Sequence, residues 1–205
     1  MAARRRRSDG ERTRRAILET ATELATVEGI EGLSIARLAA AAGISKSGLF
    51  AHFGSKEELQ LATIEAAYAV FSHHVTDPAA QADDGLPRLE TLVEGYLRYI
   101  EEDVFPGGCF FASVLAEVDM QPGPLRDRLV AFLDEWLSHL ESAVRAAQAQ
   151  GTLALDEDPA QLTFEIEAAI LLANAQHVVL RDAEPITRAR RMIARRLAAA
   201  APPPA

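Results

Sequence analysis

Leu33-Ser34-Ile35 and, a few residues on, Ala42-Gly43-Ile44-Ser45-Lys46-Ser47-Gly48-Leu49-Phe50-Ala51-His52-Phe53-Gly54-Ser55-Lys56-Glu57-Glu58-Leu59 contain three helix starts in close succession. Ser34 is placed as an N-cap between Leu33 and Leu38, the N′ and N4 positions of a hydrophobic staple, ahead of a short helix from Ile35 to Ala42. Ser45 repeats the device, with Ile44 and Leu49 as its staple, and opens a helix from Lys46 to about His52. Only Gly43-Ile44-Ser45 lies between them. Two short helices joined by a glycine turn make a helix-turn-helix. A capping box, Ser55 with Glu58 at N3, then starts a helix that continues through Leu61, Ile64, Ala67, Tyr68 and Phe71 to about Val75.

Working outward, Ile17, Leu18, Ala21, Leu24, Ala25 and Val27 recur at helical spacing, which predicts a helix from near Glu11 to Glu28-Gly29. Thr76 to Gly85, rich in Asp, Ala and Gln, reads as a loop. Pro87 fits the start of a helix through Ile100, Cys109 to Val118 a short apolar one, and Leu125 to about Gln150 a long one ended by Gly151. Pro159 opens a helix to about Arg181 and Pro185 a last one to about Ala199. Nothing in the pattern asks for a strand. The expected organisation is all-α: a basic arm over residues 1–10 without order, a three-helix head over 11–56, a helical body over 57–200 and a Pro-rich tail over 201–205 without order.

The chain of 205 residues carries a net charge of −9, which argues against non-specific coating of nucleic acid. The charge is uneven. Residues 1–56 carry ten basic side chains against six acidic ones, and the remainder carries 11 against 24. That asymmetry suits a basic DNA-facing head on an acidic body. A single cysteine, Cys109, excludes a disulfide framework and a multi-cysteine zinc site and points to a cytoplasmic location. Arg4 to Arg7 are followed by Ser8-Asp9-Gly10-Glu11-Arg12, not by the apolar stretch of a signal peptide. The most apolar window, Phe164 to Leu180, is interrupted by Glu165, Glu167, Asn174, Gln176 and His177, so no membrane span is expected.

The run from Leu33 to Leu59, with its flanks from about residue 11, resembles the N-terminal signature of TetR-family transcriptional regulators. The resemblance implies an all-α protein of nine or ten helices that works as a dimer. It implies that the third helix enters the DNA major groove, and that a C-terminal domain of variable sequence binds a ligand and the second subunit. Position 50 departs from the family, where a tyrosine is usual and its hydroxyl commonly meets a backbone phosphate. Phe50 keeps the ring and loses the donor.

Physical chemistry supports DNA contact at these positions. A recognition helix presenting its N-terminal end to a groove needs small or polar side chains, and Ser45, Lys46, Ser47 and Gly48 supply hydroxyls, a cation and a bare backbone. His52 lies one turn past Gly48, within reach of a phosphate or base edge. Lys56 adds its charge to the positive end of the fourth helix, and Arg37, on the helix before the recognition helix, is a further phosphate candidate. For each, a solvated side chain or a packed one is the bland alternative.

In the body, Tyr68, Phe71, Tyr96, Tyr99, Phe105, Phe110, Phe111, Met120, Trp136 and Phe164 are predicted on inner helix faces, where such a stripe is usually core. Asn174, His177 and His139 interrupt apolar stretches and must find a partner in protein, water or ligand. Tyr68, Tyr96, Phe110, Trp136, His139, Asn174 and His177 are therefore the candidate ligand contacts, for a hydrophobic small-molecule effector. His73-His74 with Asp77 lacks a third ligand fixed by spacing, so no metal or cofactor is expected. Cys109 reads as a small buried hydrophobe. The helices of about 159–181 and 185–199 are the dimerisation candidates, because the first is apolar over most of its circumference. A homodimer sets two heads roughly 34 Å apart, one turn of a palindromic operator in double-stranded DNA.

An all-helical enzyme is disfavoured: no nucleophile with a base, no metal-spaced His and Glu cluster and no phosphate-cradling loop is present. Within transcription, a repressor released by its ligand is the leading reading, with an activator or a corepressor-dependent regulator beside it. The alternative outside it is a ligand- or partner-binding helical module without operator binding.

Overall fold

The computed structural model describes residues 2–115, 117 and 122–202, with side chains from Gly10 onward. Every regular element among them is helical: α1 (Ala2–Glu28), α2 (Ile35–Ala41), α3 (Lys46–Phe53), α4 (Lys56–Phe71), α5 (Asp77–Gln81), α6 (Leu86–Glu101), α7 (Phe110–Leu115), α8 (Pro124–Ala149), α9 (Pro159–Leu180) and α10 (Glu184–Ala199), with a π-helical turn at Ser72–Thr76. They form two compact units, and the chain passes from one to the other within α4, after α6 and within α8. The first holds the described residues up to Ala69 and of 105–129, and the second those of 70–104 and from 130 onward. The body expected over 57–200 is thus shared between the units.

In the first unit Ile17, Ala21 and Ala25 of α1 form one buried stripe, and Leu38 of α2, Leu49 and Phe53 of α3 and Leu59 and Ile64 of α4 complete the core. The caps read from sequence are made. Ser34 Oγ accepts from the Arg37 amide at 3.1 Å, Ser45 Oγ from that of Gly48 at 3.0 Å, and Ser55 Oγ from that of Glu58 at 3.0 Å. Gly43 holds φ +67°, the left-handed conformation that lets α2 stop and α3 start three residues later. Gly107 serves a different need: its amide donates to Thr26 Oγ1 at 3.1 Å, and a Cβ there would stand 2.0 Å from the Thr26 carbonyl oxygen.

In the second unit Phe71 is the hub. Its ring meets those of Tyr96, Tyr99, Phe132 and Trp136 edge-on, with centroids 5.1–5.7 Å apart. The buried stripes of α6 (Leu89, Leu92, Leu97, Ile100), α9 (Leu162, Ile166, Ile170) and α10 (Ile186, Ile193) complete this core. Arg190 of α10 bridges Glu94 at 2.9 Å and Glu101 at 3.0 Å on α6, and Arg196 reaches Glu157 and Glu165.

The elements depart from expectation in three places. The first helix begins at Ala2, not near Glu11, so the basic arm is part of α1. Alanine and arginine are strong helix formers, and their propensity prevails over the lone Gly10. The predicted loop at Thr76 to Gly85 contains instead the end of the π-turn and α5. Pro78 has no N–H to give the carbonyl four residues back, and the wide turn, in which the Asp77 amide donates to the Ser72 carbonyl, leads the chain into it without a break. The helix predicted from Cys109 is described only over Phe110–Leu115, with Val118 and Met120 outside the described residues. Of the tail, Ala201 and Pro202 continue past α10 outside any helix, and 203–205 lie outside the described residues.

Gly107→Ala forces backbone against backbone and is expected to cost about 2 kcal/mol, a drop of roughly 5 °C in Tm. An unchanged melting curve would show that the close approach to Thr26 is not held in solution.

Candidate functional site

Helix α3 has only eight residues, so its placement comes from packing. Leu49 and Phe53, one turn apart, are buried, and the Arg14 guanidinium sits 4.4 Å over the Phe53 ring. With that face anchored, Lys46, Ser47, Phe50 and Ala51 are exposed, Phe50 at 45%. Ser45 is exposed too, but its Oγ is engaged as the cap and lies 3.1 Å from Ser47 Oγ. Gly48 is half-buried beneath that cap, where a Cβ would stand 3.2 Å from Ser45 Oγ. The first turn offers solvent a set of backbone N–H groups and the positive end of the helix dipole, flanked by a cation and a hydroxyl. His52 is half-buried beside Phe53, at the margin of this face.

The two outer cations have partners of their own. Arg37 is exposed and pairs with Glu28 at the end of α1, an exchangeable surface pair. Lys56 Nζ donates to the Glu31 carbonyl at 2.7 Å, which leaves the ammonium two further donors. Beside it Gln60 Nε2 donates to the Ile30 carbonyl at 2.8 Å, and the Glu117 carboxylate accepts from the amides of Ile30 at 2.7 Å and Glu31 at 3.0 Å. Sequence reasoning missed Gln60 and Glu117. Gln60 left a trace as a polar residue beside Leu59 and Leu61, whereas Glu117 acts on residues more than 80 positions away and left none.

The seven candidate ligand residues are divided between the two units. Tyr68, half-buried with Arg128 5.0 Å from its ring centre, and Phe110, fully buried beside Phe105 and Phe111, belong to the first unit. Tyr96 and Trp136 belong to the aromatic core of the second, their ring centroids 5.2 Å apart. Asn174 and His177 are buried there, and His177 is taken up by the protein: Nδ1 lies 2.9 Å from the Asp182 carbonyl and Nε2 3.0 Å from Asp103 Oδ1. His139 is exposed, at the edge of the arc that buries Trp136, Leu140 and Ala143, and Phe164, expected on an inner face, is 68% exposed. The residue that sequence reasoning passed over is Glu167. Its carboxylate accepts from Trp136 Nε1 at 2.7 Å, and burial holds it above the ordinary glutamate value of 4.5, an effect the indole N–H partly opposes. Among the described residues no group of three or more His, Cys, Asp or Glu side chains is placed to hold a metal, and no helix is long and apolar enough to cross a membrane. Cys109 is fully buried.

A short helix anchored from within, with its capped N-terminus and small polar side chains turned to solvent, is how a helix-turn-helix protein meets DNA. Comparison with known proteins agrees. Residues 17–63 match the family model for bacterial regulatory proteins of the tetR family, and residues 85–193 match the model for the tetracyclin repressor-like C-terminal domain. The chain belongs to the TetR family and is a DNA-binding transcriptional regulator. It is 28% identical to the transcriptional regulator AcuR of Cereibacter sphaeroides over 176 residues, covering 82% of this chain and 79% of that one. A TetR transcriptional regulator from Chloroflexus aurantiacus superposes with a TM-score of 0.85 at 27% identity, covering 93% of this chain and 96% of the other. A cysteine mutant of the TetR-family regulator CifR, solved with 26-bp double-strand operator DNA, superposes with a TM-score of 0.73 at 25% identity, covering 90% and 94%.

Glu167 gives a pH test of the second unit. A carboxyl whose folded value is raised holds its proton more tightly folded than unfolded. The stabilisation is fully present below 4.5 and is lost as pH rises through the folded value. Glu167→Gln removes that loss, so its Tm should gain on the parent's as pH rises above 4.5. Parallel calorimetric curves over that range would rule the effect out.

Proposed function

We propose that the chain is a homodimeric repressor that binds a palindromic operator through α3 and is released when a small molecule occupies its helical second unit. The observation that carries the reading is the exposed N-terminal end of α3, with Ser45, Lys46, Ser47 and Gly48 around free backbone donors and Leu49 and Phe53 locked behind it. Ser47 and Lys46 lead the assignment of contacts, Arg37, His52 and Lys56 flank them, and Phe50 offers a ring surface without a hydroxyl. Arg37 exchanges Glu28 for phosphate at little cost. Regulation without catalysis and action in the cytoplasm, where the DNA lies, complete the reading.

A second copy is the occupant proposed for the outer face of α9 and α10. Phe164, Leu171, Leu172 and Val179 project from one side of α9 and Met192 from α10, with Leu172 at 59% and Val179 at 79% exposed. A groove of about 490 Å³ between the two helices, lined by Ile166, Met192, Ile193 and Ala199 and edged by Glu165, Arg195 and Arg196, adjoins this face. An apolar patch of this kind is unusual on a monomer, and a two-fold axis covers it twice with one contact. Effector binding must then favour a head spacing that DNA does not, since equal affinity for both states shifts nothing.

Fluorescence anisotropy against the DNA flanking the chain's own gene, across a salt series, tests the head. Lys46→Ala should weaken binding and lower the slope of log K against log salt by about 2 per dimer, one phosphate contact from each subunit. Binding indifferent to sequence, salt and mutation would refute the operator reading. Leu172→Glu tests the face on α9. It places two carboxylates in one symmetric interface at about 2 kcal/mol each, a weakening of roughly a thousandfold. Sedimentation velocity should show monomers, and an intact dimer would move the interface elsewhere.

A further inference from the structure

A carboxyl group withdrawn from water is costly to ionise unless a cation or several donors meet it. Glu167 has the 2.7 Å bond from Trp136 Nε1 and, among the described residues, no basic side chain within ion-pairing distance. One turn earlier on the same face of α9, Thr163 is 2% exposed and its Oγ1 has no hydrogen-bond partner. The contrast with other helical threonines is informative. Thr63 and Thr91 each donate to the carbonyl four residues back, at 2.8 Å and 2.7 Å, and Thr163 does not. The Trp136 indole that fixes Glu167 stands edge-on to Phe71 and Tyr96, at 5.5 Å and 5.2 Å, so the carboxylate lies at the rim of an aromatic cluster, with the Thr163 hydroxyl one turn away on the same helix face.

We propose that Glu167, Thr163 and Trp136 form the polar end of the effector site and that the effector is an organic cation, a primary ammonium on an apolar or aromatic frame. An ammonium has three donors, which match the carboxylate and the threonine hydroxyl. Its charge completes the ion pair that Glu167 lacks, and aromatic rings attract a desolvated cation further. The apolar frame of the ligand meets the aromatic cluster. An alcohol of the same shape leaves the carboxylate without a counter-charge, and a carboxylate ligand is repelled. The inference rests on the ligand-released reading above and assigns its ligand class.

Titration calorimetry on the full chain with phenethylammonium, 2-phenylethanol and 3-phenylpropanoate tests it, the three probes sharing a phenethyl frame and differing mainly in the terminal group and its charge. The ammonium should bind at least about tenfold more tightly than the alcohol, with no heat from the carboxylate. Glu167→Gln should lose about tenfold for the ammonium and little for the alcohol, and Thr163→Val, close in shape, should lose affinity in the same sense. Equal affinity for ammonium and alcohol, no ammonium binding up to about 10 mM, or undiminished binding by Glu167→Gln overturns the proposal. Operator anisotropy on the same preparation separates the two readings. A chain that binds operator and ignores the ammonium refutes the cation site alone, and one that binds the ammonium and no operator refutes the regulator reading alone.

Discussion

An eight-residue helix does not hold itself together in water, and what the first unit does depends on how α3 is held. Burial of Leu49 and Phe53 fixes the rotation of the helix, and the Ser45 cap fixes where it starts. Once those are set, the outward positions follow from helix geometry: Lys46 and Phe50 on one line, Ser47 and Ala51 on the next. A polar residue at 49 or 53 would remove the anchor, and the outward residues would lose their common direction. The small side chains at 45, 47 and 48 allow tight capping and, on the proposed reading, a close approach to a groove.

The same unit contains a second constraint, at the turn after α1. Four backbone groups of Ile30 and Glu31 are met by three side chains, the carbonyls by Gln60 and Lys56 and the amides by the Glu117 carboxylate. Ile30 is fully buried, so its peptide groups cannot fall back on water. Lys56 and Glu117 make charge-assisted bonds, the stronger kind. Together with the Gly107 amide on Thr26, they bind the helix-turn-helix, the first turns of α4 and the segment from Phe105 to Glu117 into one mechanical body. The compact unit reaches past residue 56 because these contacts do.

What the sequence made legible was local. Ser34, Ser45 and Ser55 announced their helices because capping involves residues at most three apart, and Leu33, Leu38 and Leu49 showed the core face by spacing alone. The helix at Asp77–Gln81 was hidden by its composition, since Asp, Pro and Ala beside Gly85 look like a loop until the π-turn before them is known. The body was harder. Asn174 and His177 drew attention as polar breaks in an apolar run, yet His177 is met on both nitrogens by groups at Asp182 and Asp103. Those partners come from two tight bends where Asp103 and Arg181 adopt positive φ. Glu167 stood out in the sequence only as one of the residues that interrupt the apolar run from Phe164 to Leu180. Only the approach of Trp136 from α8, 31 residues away in sequence, turned it into a half-buried, hydrogen-bonded carboxyl.

Helix α9 shows why the body resisted reading from one dimension. Its residues divide into three arcs: Leu162, Ile166, Ile170 and Ala173 are buried in the unit, Phe164, Leu172 and Val179 are bare, and Thr163 and Glu167 lie on a flank between them. Apolar residues occupy the first two arcs, so hydropathy along the chain cannot distinguish core from interface. The flank is where a polar group can be buried without disrupting either, and it is there that the structure leaves an unpaired hydroxyl and a carboxyl without a counter-ion. On the proposals above, a ligand seated on that flank touches a helix that both packs the core and carries part of the face assigned to the second copy. Close-packed interiors shift as units and do not yield gradually, so a displacement of α9 at Glu167 must be passed to the packing on one arc and to the subunit contact on the other.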